Sequence, residues 1–191
     1  MGLVVVGPAL IHAQADMPHT VPHVVWGVSK HLAAGYLLYS LIQHARGRSP
    51  FGLAVGALLG GSMFPDLVDK PLAAVGVLGY GRSLGHSLLT AGIVLAAVAR
   101  LADRTVGRET AAAFAVGYLS HVAVDMIPPL VTRGATAHTG FLFWPLVTRH
   151  ELGWVASGLP VPRTAAFAAV MVAATALWLR DGVPPIRGVV A

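Results

Sequence analysis

Five long stretches of this chain carry almost no charge. They run from about Val24 to Ile42, Phe51 to Phe64, Leu84 to Leu101, Ala111 to Ile127 and Val161 to Leu179. In lipid, every backbone polar group must be satisfied within the segment, so continuous Ala-, Leu- and Val-rich runs predict helices. The strict alternation of a membrane barrel strand is absent. Only 11% of the 191 residues are charged and the mean hydropathy is +0.71, against about 25% charged residues in a soluble domain. The expectation is an all-α, polytopic membrane protein of four or five transmembrane helices. A single domain over residues 24–182 follows an N-terminal extension, 1–23, and precedes a tail, 183–191. Phe51 to Phe64, ending at Pro65, falls short of the roughly 20 residues needed to cross alone. It is expected to be tilted, embedded in protein or extended by its flanks. Leu72 to Tyr80 reads as an interfacial or re-entrant piece. Within the extension, Ala13-Gln-Ala15 follows a short apolar run like a signal cleavage site, although no Lys or Arg precedes the run. Met17 is the alternative true start.

The net charge of +5 does not point to nucleic acid, because Lys and Arg are scattered through short connections without a dense basic patch. Their placement instead sets orientation. Arg46 and Arg48, Arg104 and Arg108, and Arg180 and Arg187 mark one side as cytoplasmic. Lys30, Lys70, Arg82, Arg133, Arg149 and Arg163 fall on the other. In that topology His31, Asp66, Asp69, Arg82, His86, His121, Asp125 and His138 all lie at the extracytoplasmic face, and only His44 is assigned to the opposite one.

Ionisable residues in membrane-grade helices are costly and read as functional. His121 and Asp125 are four apart, on one face of the fourth helix, a spacing that supplies two metal ligands or one ligand and its orienting carboxylate. An interhelical His–Asp hydrogen bond is the structural alternative. Asp66 and Asp69 follow Pro65, where carboxylates also serve as turn and cap residues. Beside histidines, one of them can bind a metal and the other act as general base. Arg82 and His86 are four apart at the start of the third apolar stretch. His86, a turn deeper, is the better ligand, and Arg82 suits an anionic phosphate or snorkels to headgroups. Ser83 and Ser87 add hydroxyls, and Ser120 is a candidate donor beside His121. His138 sits in the outer loop. His12, His19, His23 and His150 lack partners, and Trp26, Trp144, Trp154 and Trp178 fit interfacial belts. The chain has no cysteine, so any metal rests on imidazole and carboxylate. That donor set suits zinc first, then manganese or iron. The ligand set is therefore expected to be His31, Asp66, His86, His121, Asp125 and His138, with Asp69, Arg82 and Ser87 in catalysis. Such a centre activates water against an ester or phosphoester.

Five pieces also resemble the membrane-bound metal-dependent hydrolases typified by a LexA-regulated bacterial inner-membrane protein. They are Lys30 to Ser40, Phe64-Pro-Asp-Leu-Val-Asp-Lys-Pro71, Gly81 to Leu89, Gly117-Tyr-Leu-Ser-His-Val-Ala-Val-Asp125 and Gly140-Phe-Leu-Phe-Trp-Pro145, in family order. Gly85 stands where that family places a Thr before the His. The order His31, Asp66, His86, His121, Asp125, His138 is more distantly similar to zinc-dependent phospholipase C and related nucleases. The resemblance implies hydrolysis by metal-activated water of a lipid, lipid-linked or small phosphoester substrate. A transporter, or a scaffold with polar interhelical contacts, is the rival expectation.

Overall fold

A computed structural model describes residues 21–133, 140–147 and 161–184. Side chains are described for 25–126, 140–147 and 165–184. The described residues are all helical in architecture, with α1 at Val21–Ala45, α2 at Gly52–Ala74, α3 at Leu88–Arg104, α4 at Arg108–Arg133 and α5 at Val161–Arg180. A short 3-10 helix spans Gly140–Phe143. The most extensive contact is between α2 and α4. Helix α1 packs on α4, α5 and α2, and α3 lies against α4.

Two expectations are corrected here. The second apolar stretch does not end at Pro65. Helix α2 continues through Pro65 and Pro71 to Ala74, because a proline removes one donor and crowds one carbonyl without forbidding the turns beyond it. Asp66 and Asp69 are thus helical, three residues apart on one face, and both are buried. Leu72 to Ala74 completes α2, and residues 75–87 form an irregular connection. Arg82 and His86 are therefore not paired on a helix. Helix α3 begins only at Leu88, where the Ser87 hydroxyl caps it by accepting from the Leu89 amide at 3.2 Å.

The second correction concerns the spans. Among the described residues, no helix is long and apolar enough to cross a membrane. Lys30 and His31 interrupt α1, Asp66, Asp69 and Lys70 interrupt α2, and α3 has only 17 residues. The groups that break the apolar runs are largely those singled out as a site.

One part of the core gathers Tyr36 and Tyr39 of α1 with Val55 and Leu58 of α2 and Ala113 of α4. Another joins Ala91, Tyr118 and Val122, with Phe64, Phe114 and Leu142 packed around them. Trp178, expected at an interface, packs on Tyr36 with ring centroids 5.0 Å apart. Toward the far end of α1 from His31 lies a polar network absent from the sequence reading. Asp181, just beyond α5, accepts from Tyr36 Oη at 2.6 Å and Ser40 Oγ at 2.8 Å, and its other oxygen is 2.8 Å from His44 Nε2. Beside it, Glu109 of α4 accepts from Tyr39 Oη at 3.0 Å and from Gln43, and pairs with Arg48 at 3.3 Å.

Asp181 clasps α1 to the end of α5. Burial alone would raise its carboxyl, but the hydrogen bonds from Tyr36, Ser40 and His44 outweigh that and hold it below the ordinary carboxylate value. A depressed folded-state value means that the stabilisation is present above the unfolded value and is lost as pH falls through the folded one. Asp181→Asn is expected to lower the melting temperature of detergent-purified protein at pH 7. It should also flatten the decline in melting temperature on acidification. Parallel acid limbs for variant and wild type would refute the clasp.

Candidate metal centre

Four elements converge on one buried cluster. Helix α1 brings Lys30 and His31, and α2 brings Asp66 and Asp69. The 75–87 connection brings Arg82 and His86, and α4 brings His121 and Asp125. His31, His86, His121, Asp69 and Asp125 are at most 2% exposed, and Asp66 is 7% exposed.

The two central imidazoles are each pinned from behind. His121 Nδ1 lies 2.6 Å from the Ser62 carbonyl, which can only accept, so Nδ1 carries the proton. His86 Nδ1 lies 2.8 Å from Asp69 Oδ2. Asp69 also accepts the backbone amides of Ser83 at 2.7 Å and Gly85 at 2.6 Å. These donors mark it as ionised and His86 Nδ1 as protonated. With both rings neutral the two Nε2 atoms are bare, and they face each other at 3.1 Å, a separation that a proton or a metal ion between them would bridge. Two lone pairs at that separation repel unless a positive charge lies between them.

Two carboxylates close the set. Asp66 Oδ1 is 3.7 Å from His86 Nε2 and 3.8 Å from His121 Nε2. Asp125 Oδ2 is 3.3 Å from His86 Nε2 and 3.8 Å from His121 Nε2. Ligands at zinc–nitrogen and zinc–oxygen distances of about 2.0–2.2 Å on a tetrahedron stand about 3.3–3.6 Å apart. Five donor–donor separations of 3.1–3.8 Å come close to that range, so small shifts of the side chains would bring the donors onto one ion. The donor chemistry, two neutral imidazoles and two carboxylates, fits zinc equally well.

His31 lies at the edge. Its ring stacks on His121 with centroids 3.7 Å apart, and its Nε2 is 3.5 Å from Asp125 Oδ1. Its Nδ1 is buried without a hydrogen-bond partner among the described residues. His31, His121 and Asp125 form a second potential ligand group, and Asp66, His86 and His121 a first. The two share the single bare nitrogen of His121.

The geometry redistributes several expected roles. Asp69 has its oxygens turned to His86 and two amides, so it orients His86 and faces away from the four-donor set. Ser87 caps α3 and donates to the Trp144 carbonyl at 2.6 Å, which occupies its hydroxyl structurally. Ser120 donates to Gly117 at 2.8 Å, and the group behind His121 is the Ser62 carbonyl. Arg82 Nε pairs with Asp125 Oδ2 at 2.8 Å. His138 lies outside the described residues. Lys30 was missed, although its Nζ is 3.4 Å from Asp125 Oδ1 and its position next to His31 was the available signal. Gly85, where the resemblance would place a Thr, has a local reason. A Cβ there would lie 2.7 Å from the Pro65 carbonyl, while its own carbonyl accepts from Tyr118 Oη at 2.5 Å.

No curated protein and no solved structure matches the chain significantly. The family model described as YdjM inner membrane protein matches residues 27–189, which takes in all four elements of the cluster, and the chain belongs to that family of inner membrane proteins.

Proposed function

We propose that the cluster is a metal centre and that the protein is a metal-dependent hydrolase of the inner membrane, cleaving an ester or phosphoester borne by a lipid or a small molecule. The observation that carries this reading is the pair of bare imidazole nitrogens 3.1 Å apart, each fixed by a hydrogen bond from its other nitrogen. Fixing the tautomer through the remote nitrogen is how proteins prepare histidine as a ligand. His86, His121, Asp66 and Asp125 would hold one zinc, manganese or iron ion. Such an ion supplies the Lewis acidity that polarises the bond to be cleaved and acidifies water.

The chain's own residues do the rest. Asp69 and the Ser62 carbonyl aim the two imidazoles. His31, stacked on His121 and in reach of Asp125, belongs to the second potential ligand group and would be a further ligand. An outward-facing site is supported by the Arg residues at the other ends of the helices, Arg46 and Arg48 after α1, Arg104 at the end of α3 and Arg108 at the start of α4. Exposed apolar side chains on the site-bearing segments, Leu67, Val75 and Val77, suit a substrate reached from lipid.

Purified protein is expected to release product from a panel of phospholipids and soluble phosphoesters. A chelator should stop the reaction and added zinc restore it. Hydrolysis that survives both chelation and His31→Ala would exclude this mechanism. A scaffold would show neither hydrolysis nor bound metal.

A further inference from the structure

The site holds more cations than a metal centre needs. Lys30 and Arg82 both sit on Asp125, one on each oxygen, at 3.4 Å and 2.8 Å. Lys70 sits on Asp66 Oδ2 at 2.6 Å. Each of these cations is thus held by a carboxylate of the four-donor set. The Lys70 side chain is 62% exposed and screened by solvent. The buried part of the cluster therefore sets three carboxylates, Asp66, Asp69 and Asp125, against two cations. With neutral imidazoles a bound dication would leave it one charge positive. Uncompensated charge in a buried site is strongly unfavourable, so a second, anionic ligand must accompany the metal.

Placement identifies what would receive that anion. The Lys30 and Arg82 side chains are 15% and 23% exposed, whereas those of Asp125 and the histidines are at most 3% exposed. The two cations therefore stand between the donors and the outside. Arg82 comes from a connection fixed through Ser83 and Gly85 to Asp69, and Lys30 from α1 beside His31. A guanidinium and an ammonium on one approach match the oxygens of a phosphate. A carboxylic ester is neutral and offers the two cations no charged oxygen.

We propose that Lys30 and Arg82 form an anion clamp that metal binding arms, and that the substrate class is accordingly the phosphate mono- or diester anion. The proposal rests on the metal-centre reading and sharpens it. A metal at Asp125 Oδ2 competes with Arg82 for the same oxygen. With that oxygen taken by a metal, the Arg82 guanidinium would be left to pair with an incoming phosphate. Metal and anion then bind cooperatively, and the coupling is reciprocal.

The test is the zinc affinity of detergent-purified full-length protein in a chelator-buffered zinc series, with and without methylphosphonate. Coupling between linked sites is typically about 5–150-fold, and phosphonate is expected to tighten zinc within that range in the wild type. In the Lys30→Met, Arg82→Gln double variant the zinc should still bind while the phosphonate effect disappears. Arg82→Lys, which keeps the charge and guards against a misfolded double variant, should retain part of it. Replacing methylphosphonate by phosphatidic acid in the micelle distinguishes the sources. A larger shift with phosphatidic acid assigns a lipid headgroup, and an equal one a free phosphate compound. Zinc binding indifferent to every anion overturns the clamp alone. Absence of zinc binding overturns the metal centre and the clamp together.

Discussion

Detergent-purified wild-type protein is expected to carry about one zinc per chain, and His121→Ala to lose it. His121 is the residue shared by both potential ligand groups, so its removal takes a donor from each. Loss of a group that merely orients a ligand costs about 10–100-fold in metal affinity, and loss of the ligand itself should exceed that. Asp69→Asn tests the orienting role separately. An amide in that place cannot accept with both ends. Its NH2 would oppose the amides of Ser83 and Gly85 or the Nδ1–H of His86. The ring would be driven toward the tautomer with a proton on Nε2, which cannot bind a metal. Asp69→Asn should therefore weaken zinc by about 10–100-fold. A purely structural role for Asp69 would lower the melting temperature of the metal-free protein without changing zinc affinity. Wild-type protein free of transition metal after purification and zinc dialysis would instead assign the gap between His86 and His121 to a proton, as in a polar scaffold.

Much of this cluster was legible from residue spacing, and the reasons for what was not are physical. His121 and Asp125 share a helix face wherever that helix is placed, so their pairing follows from periodicity alone. Asp66 and His86 were legible as chemistry, because carboxylates and imidazoles are expensive in apolar surroundings. The backbone that presents them was misread at two points. Pro65 reads as a stop, yet the packing of α2 on α4 carries the helix through it. Leu72 to Tyr80 reads as an interfacial or re-entrant piece and Leu84 onward as helix, yet the conformation around Ser83 to His86 is set by a remote carboxylate, Asp69, which gathers two amides and one imidazole. No local pattern encodes that. The same holds for Asp181, whose three partners are more than 130 residues away along the chain. It stands just past the fifth apolar stretch with no partner nearby in sequence, and the packing of α5 on α1 brings its partners to it. Membrane placement, read from apolar runs, agrees with the family, although the described helices are individually too interrupted to cross.

Gly117→Ala is expected to damage fold and site together. Gly117 lies on α4 where that helix meets α2. A Cβ there would sit inside contact distance of the Leu58 carbonyl and 2.7 Å from the Ser62 amide. Both obstacles are backbone, so no side chain can swing aside, and the helices must separate. Gly61 of α2 faces Phe114 of α4 in the same way, so the approach is close from both sides. Small residues at such crossings are what allow helices to associate in an apolar medium. Overpacking of this kind costs about 1–3 kcal/mol, occasionally more. The displacement also reaches the chemistry. The Ser62 carbonyl that holds His121 is on α2, and the donors are divided across the same contact, with His121 and Asp125 on α4 and Asp66 on α2. Moving α4 outward stretches that frame, so Gly117→Ala should lower the melting temperature and weaken zinc by at least about tenfold, as expected for disturbing a ligand's support. Gly56→Ala is the control, because a Cβ there meets nothing within 4 Å and the change should be neutral or stabilising through helix propensity. If Gly117→Ala melted with the wild type and bound zinc as tightly, the close α2–α4 contact could not be what assembles the cluster.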